Sequence, residues 1–115
     1  MTAYSYVDRQ ELIGEIAEKV AKVPELGLDI ETYEPSGGGS LDPLTGKIRL
    51  IQLAFPDKSI YVVDLMKLDP APLIQAFRDN PKLLTVIHGA KFEAKWFKYH
   101  FDLEFWPLFC THRAS

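Results

Sequence analysis

Leu12, Ile13, Ile16, Ala17 and Val20 return at the three- and four-residue spacing of one helix face. Asp8 and Glu11 stand ahead of them in a D-x-x-E arrangement, a variant of the capping box, and Pro24 closes the run. The pattern predicts a helix over 8–23. From Leu26 to Thr32 the period falls to two, with Leu28 and Ile30 on one side of a strand and Asp29 and Glu31 on the other. Residues 33–46 are crowded with turn formers, including Pro35, Gly37, Gly38, Gly39, Asp42, Pro43 and Gly46. A loop this long in a compact domain is expected to be either mobile or functional.

Two more strands are predicted over Lys47–Phe55 and Ser59–Leu65, joined by the turn Pro56-Asp57-Lys58. In the first, Ile48, Leu50, Gln52 and Ala54 alternate with Arg49, Ile51, Leu53 and Phe55. Short connections make these strands and the Leu26–Thr32 strand an antiparallel meander. Asp69 as N-cap and Pro70 at the first position open a second helix with the stripe Leu73, Ile74 and Phe77, and Asn80-Pro81 stops it. A short strand follows over Leu83–His88, parallel to Leu26–Thr32 because a helix intervenes. A third helix runs from Gly89 or Ala90 to about His100, with Phe92, Trp96 and Tyr99 on one stripe and Phe97 beside it. A last strand is placed within Glu104–Thr111, and His112 to Ser115 read as the first turn of a helix that has been cut off. The order implies an α/β fold: a mixed five-stranded sheet, three antiparallel strands followed by parallel additions, flanked by helices.

The chain has 115 residues, enough for one domain, and at 47% hydrophobic it carries enough apolar material for a core. A net charge of −3 means that no global positive field draws it to nucleic acid, so such binding must rest on a local basic strip or on bridging metal ions. Cys110 is the lone cysteine, which excludes an intrachain disulfide and suits a reducing compartment. The N-terminus lacks a signal-peptide pattern, and no apolar run reaches the roughly 18–20 residues of a membrane helix. The expected setting is cytoplasmic, with no membrane partner.

Asp29-Ile30-Glu31 is the most informative triplet. A period of two puts both carboxylates on one face of a strand placed centrally in the sheet. Side by side they repel, and a proton or a cation between them relieves the repulsion. Hard oxygen ligands select Mg²⁺ or Mn²⁺, and a pair of such ions clamps an in-line attack on phosphorus. By spacing alone the D-x-E is a weak motif, and an edge strand with a solvated acidic face explains it more simply. Lys91, Lys95 and Lys98 recur at helical spacing, as either a phosphate-facing strip or a solvated helix face. The late aromatics, Trp96, Phe97, Phe101, Phe105, Trp106 and Phe109, read as core more readily than as base-stacking surface.

The succession Gly27-Leu28-Asp29-Ile30-Glu31-Thr32, then Arg49-Leu50-Ile51-Gln52-Leu53-Ala54, then Tyr61-Val62-Val63-Asp64-Leu65, and finally Val86-Ile87-His88-Gly89-Ala90-Lys91-Phe92-Glu93 resembles the DEDD-type 3′→5′ exonucleases. This superfamily includes RNase D and the proofreading domain of DNA polymerase I. The resemblance implies an RNase H-like core over 26–115 behind the N-terminal helix. It implies phosphodiester hydrolysis from the 3′ end of single-stranded DNA or RNA, with two Mg²⁺ or Mn²⁺ ions in the complete site. Asp29 and Glu31 match the acidic pair of the first motif, and Glu93 stands where the second has aspartate, so all three are implied catalytic metal ligands. Thr32, Lys91 and Lys95 are the implied nucleic-acid contacts. Two departures stand out: Gly89 replaces a usual asparagine, and Glu93 is one methylene longer than aspartate. The family's fourth carboxylate, with a tyrosine or histidine four residues before it, has no counterpart. Asp102 and Glu104 follow the helix too closely, and Tyr99 and His100 are wrongly spaced from them. The resemblance therefore implies a domain lacking its C-terminal helices, with weak or absent cleavage by these residues alone. A nucleic-acid-binding module that kept the fold without the chemistry is the alternative.

Overall fold

The structure, a computed structural model, describes residues 4–33, 46–87, 90–103 and 108–110, the stretches 90–94 and 108–110 as backbone only. The glycine-rich loop 34–45, His88 and Gly89, the side chains of Lys91, Phe92 and Glu93, the aromatics Phe105, Trp106 and Phe109, and the helical turn predicted at His112–Ser115 lie outside the described residues.

The elements are β1 (Ser5–Val7), α1 (Gln10–Lys22), β2 (Glu25–Tyr33), β3 (Lys47–Ala54), β4 (Ile60–Asp64), α2 (Ala71–Asp79), β5 (Leu84–Ile87), α3 (Ala90–Phe101) and β6 (Leu108–Cys110). They form one sheet in the order β1-β4-β3-β2-β5-β6. β2, β3 and β4 are the antiparallel meander, and β5 and β6 add in parallel on the other side of β2. All five predicted strands are present, but the sheet has six. The added strand, β1, pairs in parallel with β4 through Ser5–Tyr61, Tyr6–Val62 and Val7–Val63. Three residues are too few to show a period of two, and partners on β4 rather than local pattern hold this strand in place.

The core lies on the Leu28 side of the sheet. Ile13, Ile16 and Val20 of α1 and Leu73, Ile74 and Phe77 of α2 bury against Leu26, Leu28, Ile51, Leu53, Val63 and Ile87. Trp96 and Phe97 of α3 join the same cluster, fully buried. Each such side chain contributes about 1.5–3 kcal/mol on leaving water. Tyr99, which the helical spacing sets on one stripe with Trp96, is 55% exposed.

The start of α1 also departs from expectation. Its N-cap is Arg9, with no side-chain cap bond. Asp8 lies 3.8 Å from Lys67 Nζ, and Glu11 is 3.5 Å from Arg9 Nε, so neither acid forms the capping box. Asp8 leaves directly from β1, whose pairing with β4 turns it toward Lys67. At α2 the expected acid does contribute one residue out of place: Asp69 Oδ1 accepts from Ala71 N at 3.0 Å, while Pro70 occupies the cap. Asn80 ends α2 and also ties down α1, donating from Nδ2 to the carbonyls of Val20 and Val23, each at 2.9 Å.

In the hairpin between β3 and β4, Lys58 adopts a left-handed conformation. Asp57 accepts from Ser59 N at 2.9 Å and from the Ser59 hydroxyl, and these bonds, with the Lys19 ammonium, hold its carboxyl down at about 2.

Candidate active site

β2 alternates as its sequence requires. Leu26 and Leu28 are buried, whereas Asp29 and Glu31 are exposed on the opposite face. The register sets their neighbours: Asp29 faces Gln52, Glu31 faces Leu50, and those two face Val62 and Asp64 on β4. Asp29, Glu31, Leu50, Gln52 and Val62, with Ile30, line one groove of about 120 Å³. Its walls are half-buried aliphatics and its floor offers two carboxylates and a carboxamide.

Between Glu31 and Thr32 the β2–β3 register shifts. Glu31 stands opposite Leu50 but Thr32 opposite Ile48, so Arg49 is passed over in a β-bulge. The bulge overturns the predicted alternation of β3. Ile48, Ile51 and Leu53 are the buried positions, because the extra residue switches the face midway. Arg49 Nη1 lies 3.9 Å from Glu31 Oε1, and both side chains are more than half exposed.

Beyond Leu50 the same face carries Asp64, which is 5% exposed. Its Oδ1 accepts from Met66 N at 2.9 Å, and its Oδ2 accepts a short hydrogen bond from the Tyr6 hydroxyl. That bond, with some desolvation and the nearby carboxylate charge, raises the Tyr6 phenol above its ordinary range. No local pattern announces this pair, because its members lie 58 residues apart. The place of Gln52 opposite Asp29 rests on the β2–β3 register, which the long connection between these strands leaves open in the sequence.

The other predicted residues are distributed as follows. β5 runs parallel to β2 and ends with Ile87 opposite Leu28, so the chain leaves the sheet beside Asp29 and enters α3 at Ala90. The backbone of Glu93 is in the first turn of α3. Thr32 is half-buried at a register position opposite Ile48, on the Ile30 side of the strand. Lys95 is exposed on α3, and Lys98 binds Asp102 at 2.7 Å. Among the described residues, no group of three or more histidine, cysteine, aspartate or glutamate side chains comes together to hold a metal. Asp29 and Glu31 are hard-oxygen donors on adjacent same-face positions, a donor set that fits Mg²⁺ or Mn²⁺ and needs further ligands to complete it.

Residues 4–115 match the model of the 3′-5′ exonuclease family. The chain belongs to that family. Members of this 3′-5′ exonuclease family are hydrolytic nucleases that generally use divalent metal ions. Among curated proteins, the chain is similar to the exosome complex component 10 homolog of Drosophila melanogaster, at 25% identity over 114 residues. That alignment takes in 99% of this chain and 12% of the fly protein. Among solved structures it is similar to Escherichia coli RNase D, an exoribonuclease involved in structured RNA processing. There the TM-score is 0.71 at 22% identity, with 96% of this chain and 28% of that one covered. Trypanosoma brucei RNase D, in complex with RNA U12, gives a TM-score of 0.76 at 15% identity, with 93% and 37% covered. The chain thus shares the exonuclease fold while spanning less than two fifths of the length of these three relatives. Among the described residues no helix is long and apolar enough to cross a membrane.

Proposed function

We propose that residues 1–115 form the front part of a 3′→5′ exonuclease domain that removes nucleotides from the 3′ end of a single-stranded nucleic acid, RNA first. The observation that carries this reading is the pair Asp29 and Glu31, exposed side by side in a groove on the central strand of a chain of the 3′-5′ exonuclease family. Asp29, Glu31 and Glu93 would hold divalent ions, Mg²⁺ or Mn²⁺, and a bound pair would supply activation of the attacking water and charge stabilisation for the leaving oxygen. The chain's own residues position the substrate. Leu50 and Val62 wall the groove, while Lys95 and Lys91 on α3 contact the polymer; Thr32, on the other side of the strand, would reach it only at the strand's end. RNA is favoured because E. coli RNase D is described as an exoribonuclease and the trypanosome enzyme was captured with RNA. The single cysteine fits a reducing compartment such as the cytoplasm.

Electron paramagnetic titration with Mn²⁺, alongside incubation with a 5′-labelled oligouridylate, tests this. Bound Mn²⁺ that is lost in Asp29→Ala, with little or no shortening of the oligonucleotide, is the expected outcome. Absence of Mn²⁺ binding sinks the metal-site reading. Robust Mg²⁺-dependent degradation abolished by Asp29→Ala would show that these residues suffice for catalysis. A second reading, a binding module without chemistry, draws on the two departures in the second motif, Gly89 for asparagine and Glu93 for aspartate. Oligonucleotide binding indifferent to both metal and Asp29→Ala would favour it.

A further inference from the structure

Arg49 occupies an unusual place in the ladder. The bulge removes it from pairing with β2, and its carbonyl is pinned by Leu65 N at 2.9 Å. The backbone is therefore fixed while the side chain stands out from the sheet beside Glu31. Bulges next to active sites commonly re-aim a side chain in this way. The contact it makes is loose. At 3.9 Å the guanidinium is beyond hydrogen-bond distance of Glu31, and both partners are largely in water, where such a pair is weak and easily exchanged. Several other described cations are engaged elsewhere: Lys67 beside Asp8, Lys19 on Asp57 and Ser59, and Arg78 on the Phe101 carbonyl. Arg49 is the cation ion-paired with the carboxylate pair among the described residues.

A guanidinium offers a planar fork of donors that matches two phosphate oxygens at once. Positive charge arriving on the carboxylates would weaken the hold of Glu31 on it. We propose that Arg49 is a phosphate-binding residue of this groove, leaving Glu31 to clasp a backbone phosphodiester of single-stranded RNA lying across the sheet from Asp29 toward Tyr6. Tyr6, 48% exposed, stands on that same path. The proposal rests on the exonuclease reading and adds a residue to it.

The test uses the whole chain, with fluorescence anisotropy of a short labelled oligouridylate in Ca²⁺, repeated over a series of salt concentrations. Arg49→Gln is expected to weaken binding several-fold and to reduce the slope of log affinity against log salt by about 0.7, the share of one single-strand phosphate. Arg49→Lys, keeping the charge without the fork, is expected to retain the slope and lose part of the affinity. Mn²⁺ affinity of Arg49→Gln, read by paramagnetic titration without nucleic acid, is expected to be unchanged or tighter because a neighbouring positive charge is gone. An unchanged salt slope in Arg49→Gln, or weakened Mn²⁺ binding, overturns the proposal. If the wild-type chain binds Mn²⁺ and RNA and only the Arg49→Gln slope fails to move, this inference falls and the exonuclease reading stands. If wild type binds neither, both fall.

Discussion

Asn80 joins the ends of two helices, and its removal has a calculable cost. The side-chain nitrogen donates at 2.9 Å to Val20 O and at 2.9 Å to Val23 O, carbonyls that the end of α1 leaves without helical partners. Asn80→Ala deletes both bonds in a partly buried setting. Each is worth about 0.5–1.5 kcal/mol net, so the pair contributes about 1–3 kcal/mol, reduced somewhat because alanine has no rotamers to freeze. The backbone at Asn80 has φ −124° and ψ 70°, outside the left-handed region, so alanine adds no strain of its own. A loss near 2 kcal/mol is expected. At about 4 °C per kcal/mol for a chain of this size, the melting temperature should fall by roughly 8 °C. Asn80→Asp supplies the control: it keeps the shape but points carboxylate oxygens at two carbonyl oxygens, and should be more damaging than alanine. Urea and thermal unfolding followed by far-ultraviolet circular dichroism measure both variants. If aspartate is tolerated as well as alanine, or if both lie within about 0.5 kcal/mol of wild type, the double cap is not what joins these helices.

Three further outcomes follow. Asp29→Asn should raise the stability of the metal-free chain slightly by removing one of two neighbouring like charges, and should abolish any rise in melting temperature on adding Mn²⁺; a metal-induced rise equal to that of wild type would contradict it. Tyr6→Phe leaves a buried Asp64 oxygen without its donor at a cost of about 1–3 kcal/mol, and hydrogen exchange should show β1 opening first. Asp57 has a folded-state pKa of about 2, below its ordinary 3.8, through its bonds to Ser59 and then Lys19. Its contribution to stability is therefore full above the unfolded value and is lost as pH falls through about 2, so Asp57→Asn should flatten that part of an acid-unfolding curve.

Much of the architecture was legible because its signals are local. The stripe Ile13, Ile16, Val20, the two-residue alternation of Leu26–Glu31 and the stop at Asn80-Pro81 each declare an element within a few residues. The acidic pair was legible for the same reason, since one strand carries both members. What escaped the sequence depends on partners far along the chain. β1 exists through β4, Asp64 is satisfied by Tyr6, and Asp8 turns to Lys67 rather than capping α1. The face switch in β3 left a trace in the adjacent apolar residues Leu50 and Ile51, which break strict alternation, but only pairing with β2 shows that Arg49 is the residue skipped. Gln52 and Arg49, which border the carboxylates, become visible only once that pairing is known.

The skipped residue also sets a rule for insertions and deletions. In a sheet every residue belongs to an odd or an even frame, and β3 changes frame at Arg49. Residues gained or lost before Lys47 leave both frames intact. Deleting Arg49 would leave Ile48 two places from Ile51, the spacing of an unbroken strand. Ile48, Ile51 and Leu53 would all stay on the buried face, and Leu50 and Gln52 would stay beside the carboxylates. A single residue lost between Ile51 and Leu53 would instead set those two on opposite faces and bring one of them up beneath Asp29. The bulge is thus a place where the strand can be shortened without moving its core, and what the shortening takes away is the side chain beside Glu31.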